Sequence, residues 1–260
     1  MFNFERPKNP YRKKGKDYNL SDNSKLTSID FSYSRKLASR IYSILKTLEN
    51  EPRQTDTFSR FANQVYQAVR NDQVHELGQL QLGYGSVESL RNFRFSKKNS
   101  WQSFFRNYPT ADFQSDKGEV CLTMPPTYAR EFHLFPERAS KVIVRMHCIQ
   151  ISIDNENRLE HCSSKELIIT NDEDRDSRSI RFSIKDKPNV LLLCLASVRV
   201  WLVSAQGEDE FLSNNKVYMT AEIFDALLIR DGQLCHFVEQ KLPDITPPMS
   251  SDSDDELDWE

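Results

Sequence analysis

The sequence predicts an α+β fold: an N-terminal helical hairpin packed on a C-terminal, mostly antiparallel β-sheet, flanked by a disordered basic arm and a disordered acidic tail. Three observations predict it. Apolar residues recur at three- and four-residue spacing in the first third of the chain, short Val/Ile/Leu/Phe stretches follow beyond Gly118, and opposite charges gather at the two ends. With 260 residues, 38% hydrophobic and 28% charged, the chain is long enough to bury a core.

Residues 34–49 carry Leu37, Ile41, Ile44, Leu45 and Leu48 on one helical stripe, and Asn50 and Pro52 stop it. Residues 55–69 resume the pattern with Phe58, Phe61, Ala62, Val65 and Val69, capped by Thr55 or Asp56. A third, short helix is expected over 86–95. Strands are expected over 119–124, 141–153, 165–170, 179–184, 190–196 with 198–204, and 216–220. The stretches 165–170 and 179–184 flank an acid-rich segment and read as a hairpin with a charged tip. Residues 221–229 read either as helix or as one arm of a tight turn at Asp231-Gly232. The organisation is then a basic arm over 1–30, a helical region with a basic-aromatic segment over 31–115, a β-rich region over 116–242 and an acidic tail over 243–260.

No apolar run reaches the roughly 18 residues of a membrane span, and the N-terminus has no signal-like apolar stretch. Cys121, Cys148, Cys162, Cys194 and Cys235 form an odd set without a CxxC pair, which fits reduced thiols in cytoplasm or nucleus. No phosphate loop, nucleophile elbow, HExxH or kinase signature is present, and no enzyme activity is expected. Gly83-Tyr84-Gly85-Ser86 reads as a turn with Ser86 as a helix cap, because a dinucleotide cradle needs a third glycine. The pairs His147-Cys148, His161-Cys162 and Cys235-His236 offer good ligands at poor spacing, since strand neighbours point to opposite faces. Asp172, Glu173, Asp174 and Asp176 lack the glycine and closing glutamate of a calcium loop. No metal or cofactor is implied.

The charge pattern points to binding instead. Residues 244–260 hold seven acids and no Lys or Arg, so the chain's net −3 becomes +4 without them. The first eighteen residues hold Arg6, Lys8, Arg12, Lys13, Lys14 and Lys16 against Glu5 and Asp17, an arm that attracts a polyanion or serves as a nuclear import signal. Residues 89–111 contain no acid. There Arg91, Arg94, Lys97, Lys98 and Arg106 alternate with Phe93, Phe95, Trp101, Phe104, Phe105 and Tyr108. Single-stranded nucleic acid needs cations for phosphates and flat rings for unstacked bases. The same rings also fit a buried junction between helices and sheet, with the cations snorkelling outward.

Two short motifs suggest partners. Pro125-Pro126-Thr127-Tyr128 has the form PPxY and resembles the late-assembly motif by which viral matrix and capsid proteins engage WW domains. Leu257-Asp258-Trp259-Glu260 resembles the tryptophan-acidic motif by which cargo adaptors bind kinesin light chains, and acidic-aromatic tails also bind basic proteins. Ser251 and Ser253 each have an acid three residues downstream, the pattern of acid-directed serine kinases. The expectation is a non-enzymatic protein that binds single-stranded RNA or DNA, similar in style to viral accessory, movement or structural proteins. The alternatives are a matrix-like adaptor on anionic membrane and, third, a metal-dependent nuclease using His147, His161 or the nearby acids.

Overall fold

A computed structural model describes residues 21–235, except 49–55, 130, 132–134, 156–157, 171, 173, 185–188 and 208. The basic arm with Arg12, Lys13, Lys14 and Lys16, and the tail with Ser251, Ser253 and Leu257 to Glu260, lie outside the described residues. The fold is α+β, with two helices and a large antiparallel sheet.

Helix α1 (Asp22–Leu48) begins three turns earlier than its apolar stripe, inside the stretch assigned to the arm. A polar tie explains the extension: the buried Asp30 carboxylate accepts the backbone N–H groups of Gly78 and Leu80, at 2.7 and 3.2 Å. Helix α2 (Thr57–Arg70) buries Phe61, Ala62, Val65, Ala68 and Val69, as its pattern predicts. Asp56 precedes it without a side-chain capping bond and pairs with Lys97 instead. The expected third helix is absent. Residues 82–90 make two 3-10 turns, Asn92 adopts φ 59°, and β1 (Phe93–Arg94) joins the sheet.

The remaining strands are β2 (Thr110–Gln114), β3 (Glu119–Met124), β4 (Ala139–Ser152), β5 (Leu159–Ser163), β6 (Leu167–Ile169), β7 (Arg178–Ser183), β8 (Val190–Val203), β9 (Glu210–Leu212), β10 (Met219–Arg230) and β11 (Gln233–Cys235). The large sheet runs β1-β10-β8-β4-β5, with β6 also on β4, β9 on β8 and β11 on β10. A smaller sheet runs β2-β3-β7. Asp231 and Gly232, at φ 50° and 74°, turn β10 into β11, so the hairpin reading of residues 221–235 holds over the helical one.

One expected hairpin does not form. β6 pairs with β4 in the large sheet, while β7 pairs with β3 in the small one. The acid-rich segment between them is a crossover: Asp174 accepts the Ala129 N–H at 2.7 Å, and Arg175 exchanges backbone bonds with Thr127. Cross-strand partners such as Thr123 and Ser179, whose hydroxyls meet at 2.8 Å, outweigh the short loop.

The central strand β8 explains the long apolar run. Leu191, Leu193 and Leu195 face the helices, in a core with Leu37, Ile41, Phe61 and Val65. Val190, Leu192, Cys194, Ala196, Val198 and Val200 face the small sheet, in a second core with Val120, Leu122 and Trp101. A strand covered on both faces reads as continuous hydrophobicity. Among the described residues, no helix is long and apolar enough to cross a membrane.

Candidate nucleic-acid interface

The basic-aromatic segment climbs along the β1–β10 edge and splits its rings between the two cores. Phe93 packs against Phe61 on the helical side, with ring centroids 5.3 Å apart. Trp101, Phe104 and Phe105 enter the other core, where Trp101 lies 4.9 Å from Phe105 and both phenylalanines meet Phe135. Trp101 is 1% exposed and Phe105 3%, so neither offers a face to a base. Both were expected among the nucleic-acid-binding residues, and both rings are core side chains here. The junction reading accounts for them: burying such large rings outweighs the charge of their neighbours, which turn outward.

Glu222 anchors this junction from beneath. It is 1% exposed, accepts the Trp101 backbone N–H at 2.6 Å and receives the Tyr108 hydroxyl at 3.2 Å. Burial raises its pKa above the usual carboxylate value, against the two hydrogen bonds and the Arg94 charge that lower it. An acid whose folded pKa is raised binds more protons folded than unfolded, so its stabilisation declines as pH climbs from about 4.5 through the folded pKa. Glu222→Gln keeps an acceptor for Trp101 and removes the charge. Urea midpoints at pH 4.5 and 7.5 should show the variant gaining on the parent at the higher pH, and an equal gap at both would contradict a buried ionising carboxyl.

The cations of the segment divide into two groups. Arg91 pairs with Asp225 at 2.8 Å and with Glu88 at 3.5 Å, and Lys97 pairs with Asp56. Arg94, Lys98 and Arg106 are exposed and form no ion pair among the described residues. Lys216, also exposed, comes beside the turn that bears Lys98: the Asn99 amide donates to the carbonyls of Lys216, at 2.6 Å, and Met219, at 3.1 Å. Sequence reading missed Lys216 because it is 110 residues or more from the others.

In the PPxY motif, Pro126 and Tyr128 are exposed, Pro125 is half-buried and Thr127 is buried, with its N–H and C=O both held by Arg175. The motif follows β3 and is tied to Arg175 by an isolated bridge, and two of its side chains are exposed.

The histidines meet on the helix-facing side of the sheet. His147 Nδ1 lies 3.4 Å from His161 Nε2, and Ser197 Oγ lies 3.5 Å from His147 Nε2. Burial against the strand, with His147 adding to it, lowers the His161 pKa to about 4, so this ring is neutral at pH 7. Ser197 and His147 are both buried. The neighbouring Cys148, Cys162 and Cys194 lie on adjacent strands and face the opposite side, as strand alternation demands. Among the described residues, no three His, Cys, Asp or Glu side chains converge as metal ligands.

A second cluster was not singled out from the sequence. Lys141 pairs in register with Trp201, Ile143 with Arg199 and Arg145 with Ser197, which places all six on the helix-facing side. Lys141, Ile143, Arg145, Arg199 and Trp201 belong to neither core. Ile143, Arg145, Arg199 and Trp201 border a cavity of about 190 Å³, with Glu166, Ser197 and Leu212 completing its lining. The signal in the sequence was the alternation Val198-Arg199-Val200-Trp201, where every second position changes from apolar to cationic or aromatic.

Comparison with protein-family models, curated proteins and solved structures finds no match, so the functional reading rests on these residues themselves.

Proposed function

We propose that the chain is a non-catalytic polyanion-binding protein whose preferred ligand is single-stranded RNA or DNA. The observation that carries this reading is the group Arg94, Lys98, Arg106 and Lys216. These are exposed, without ion pairs among the described residues, and borne on a rigid aromatic junction. Surface cations are often ion-paired, and a group without such pairs gains most from neutralising phosphates and releasing their counterions. The basic arm adds charge of the same sign, and the acidic tail supplies a surface for basic partners or for phosphorylation.

Fluorescence anisotropy with a labelled 20-nucleotide single-stranded RNA tests the reading. Affinity should fall with salt, and Lys98→Glu/Arg106→Glu/Lys216→Glu should flatten the log–log slope by about 2, at roughly 0.7 per lost contact on a single strand. An unchanged slope would remove this surface from the interface. A second reading, an adaptor on anionic membrane, draws on the exposed Pro126 and Tyr128. Flotation with phosphatidylserine vesicles at the same salt, stronger than RNA binding, would favour it.

A further inference from the structure

The cavity on the helix-facing side of the large sheet is distinct from the cationic group above, and its chemistry is more selective. We propose that it is a pocket for one unpaired nucleobase, floored by Trp201 and bordered by Arg145 and Arg199. The inference deepens the nucleic-acid reading and rests on it.

The first argument is the position of the pocket on the sheet. The helices pack on Ile149, Ile151, Leu191, Leu193 and Leu195, one half of the face shared by β4 and β8. The other half carries Lys141, Ile143, Arg145, Arg199 and Trp201. A sheet face that only has to receive a helix is apolar along its length. Here alternate positions become cationic and aromatic where the apolar core ends, which is what a surface for charged, flat ligands requires.

The second argument is the lining. Trp201 borders the cavity together with the guanidinium-bearing Arg145 and Arg199. Lys141 Nζ sits 4.6 Å from the Trp201 ring centroid. A nucleobase offers a flat ring to stack on the indole, and carbonyl oxygens and ring nitrogens that accept from guanidinium groups.

Size narrows the ligand. A cavity of about 150 Å³ holds one benzene ring, whereas drug-sized ligands fill about 300 Å³ or more. At about 190 Å³ this one admits a single ring system, with sugar and phosphate left outside. Charge then selects the polymer. Arg145 is paired with Glu166, and both line the cavity beside Arg199, while Lys141, outside the lining, is held by Glu210 at 2.5 Å. Arg199 lies opposite Met219 of β10, and the Asn99 amide ties Met219 to Lys216 and to the turn bearing Lys98. In the proposed path, a strand whose phosphates lie along Lys98 and Lys216 crosses β10 to reach the pocket.

The test compares two probes on the full chain: a labelled 12-nucleotide oligouridylate and an abasic phosphodiester of equal length. The parent should bind the base-bearing strand at least about five-fold tighter, the low end of stacking one base on an aromatic ring. Trp201→Leu, with its thermal midpoint unchanged, should bind both probes equally, at the parent's affinity for the abasic one. A parent without preference, or a Trp201→Leu variant that keeps it, overturns the pocket and leaves the polyanion reading intact. A parent that binds neither probe overturns both. If the leucine variant does not fold, photocrosslinking of a 4-thiouridine strand to the unaltered chain decides the question. The expected adduct lies within Val190–Val203, and adducts confined to other segments overturn the proposal.

Discussion

Replacing Trp101 by alanine lowers the unfolding free energy by about 3 to 5 kcal/mol, the range for truncating a large buried aromatic. The ring is among the largest fully buried side chains of the chain and packs on Phe105 and Tyr108, and its Nε1 donates to the Asn107 carbonyl at 2.8 Å. Alanine keeps the backbone N–H that Glu222 holds, so the loss comes from the vacated volume and the freed Asn107 carbonyl. Urea unfolding measures it, and a loss under 1 kcal/mol would mean that the ring is not core. The variant also separates structure from binding. Where it remains folded, its affinity for single-stranded RNA should equal the parent's, because the ring never meets the ligand. Lys98→Glu should do the reverse, weakening binding while stability stays within about 0.5 kcal/mol.

The contrast between Trp101 and Trp201 shows what the sequence could and could not convey. Around Trp101, composition is conspicuous: no acid, several cations, six rings within sixteen positions. That density reflects a segment lining the edge of two cores, with its cations turned out by the burial of its rings. Around Trp201 the composition is ordinary for a buried strand. The informative quantity was period rather than density: apolar residues on one face to Val200, and a change from Leu195 through Ser197 and Arg199 to Trp201 on the other. The same reasoning covers the fold. The helical stripes, most strands and the doubly buried β8 were legible because each is a local pattern. The early start of α1, held by Asp30, and the pairing of β6 with β4 and β7 with β3 depend on partners more than 20 residues distant. Short loop length favoured a hairpin, but pairing across sheets decided the topology.

The turn at residues 82–86 illustrates how a weak motif acquires a strong constraint. Its glycines suggested a phosphate cradle or a capped helix start. Ser86 makes no capping bond, and the glycines instead permit close packing. A Cβ built on Gly85 would lie 1.9 Å from the Ala68 carbonyl oxygen, and one on Gly83 would lie 2.2 Å from Ile153 Cγ2. The obstacles differ in kind. Ile153 can change rotamer, whereas the Ala68 carbonyl belongs to the last turns of α2 and moves only with the helix. Arg230 further fixes the turn, donating from Nε to the Gly83 carbonyl at 2.9 Å and lying 4.4 Å over the Tyr84 ring. Gly83→Ala should therefore cost about 1 to 3 kcal/mol, as ordinary overpacking does. Gly85→Ala should exceed about 4 kcal/mol, in the range where single substitutions are diagnostic of one severe conflict. Paired urea denaturation of the two variants measures the order. If Gly85→Ala proved the milder of the two, the approach of this turn to α2 would have to be looser than its backbone positions require. The expected order ties the edge of the sheet to the helical hairpin through backbone contact alone, which is why no side-chain pattern in the sequence announced it.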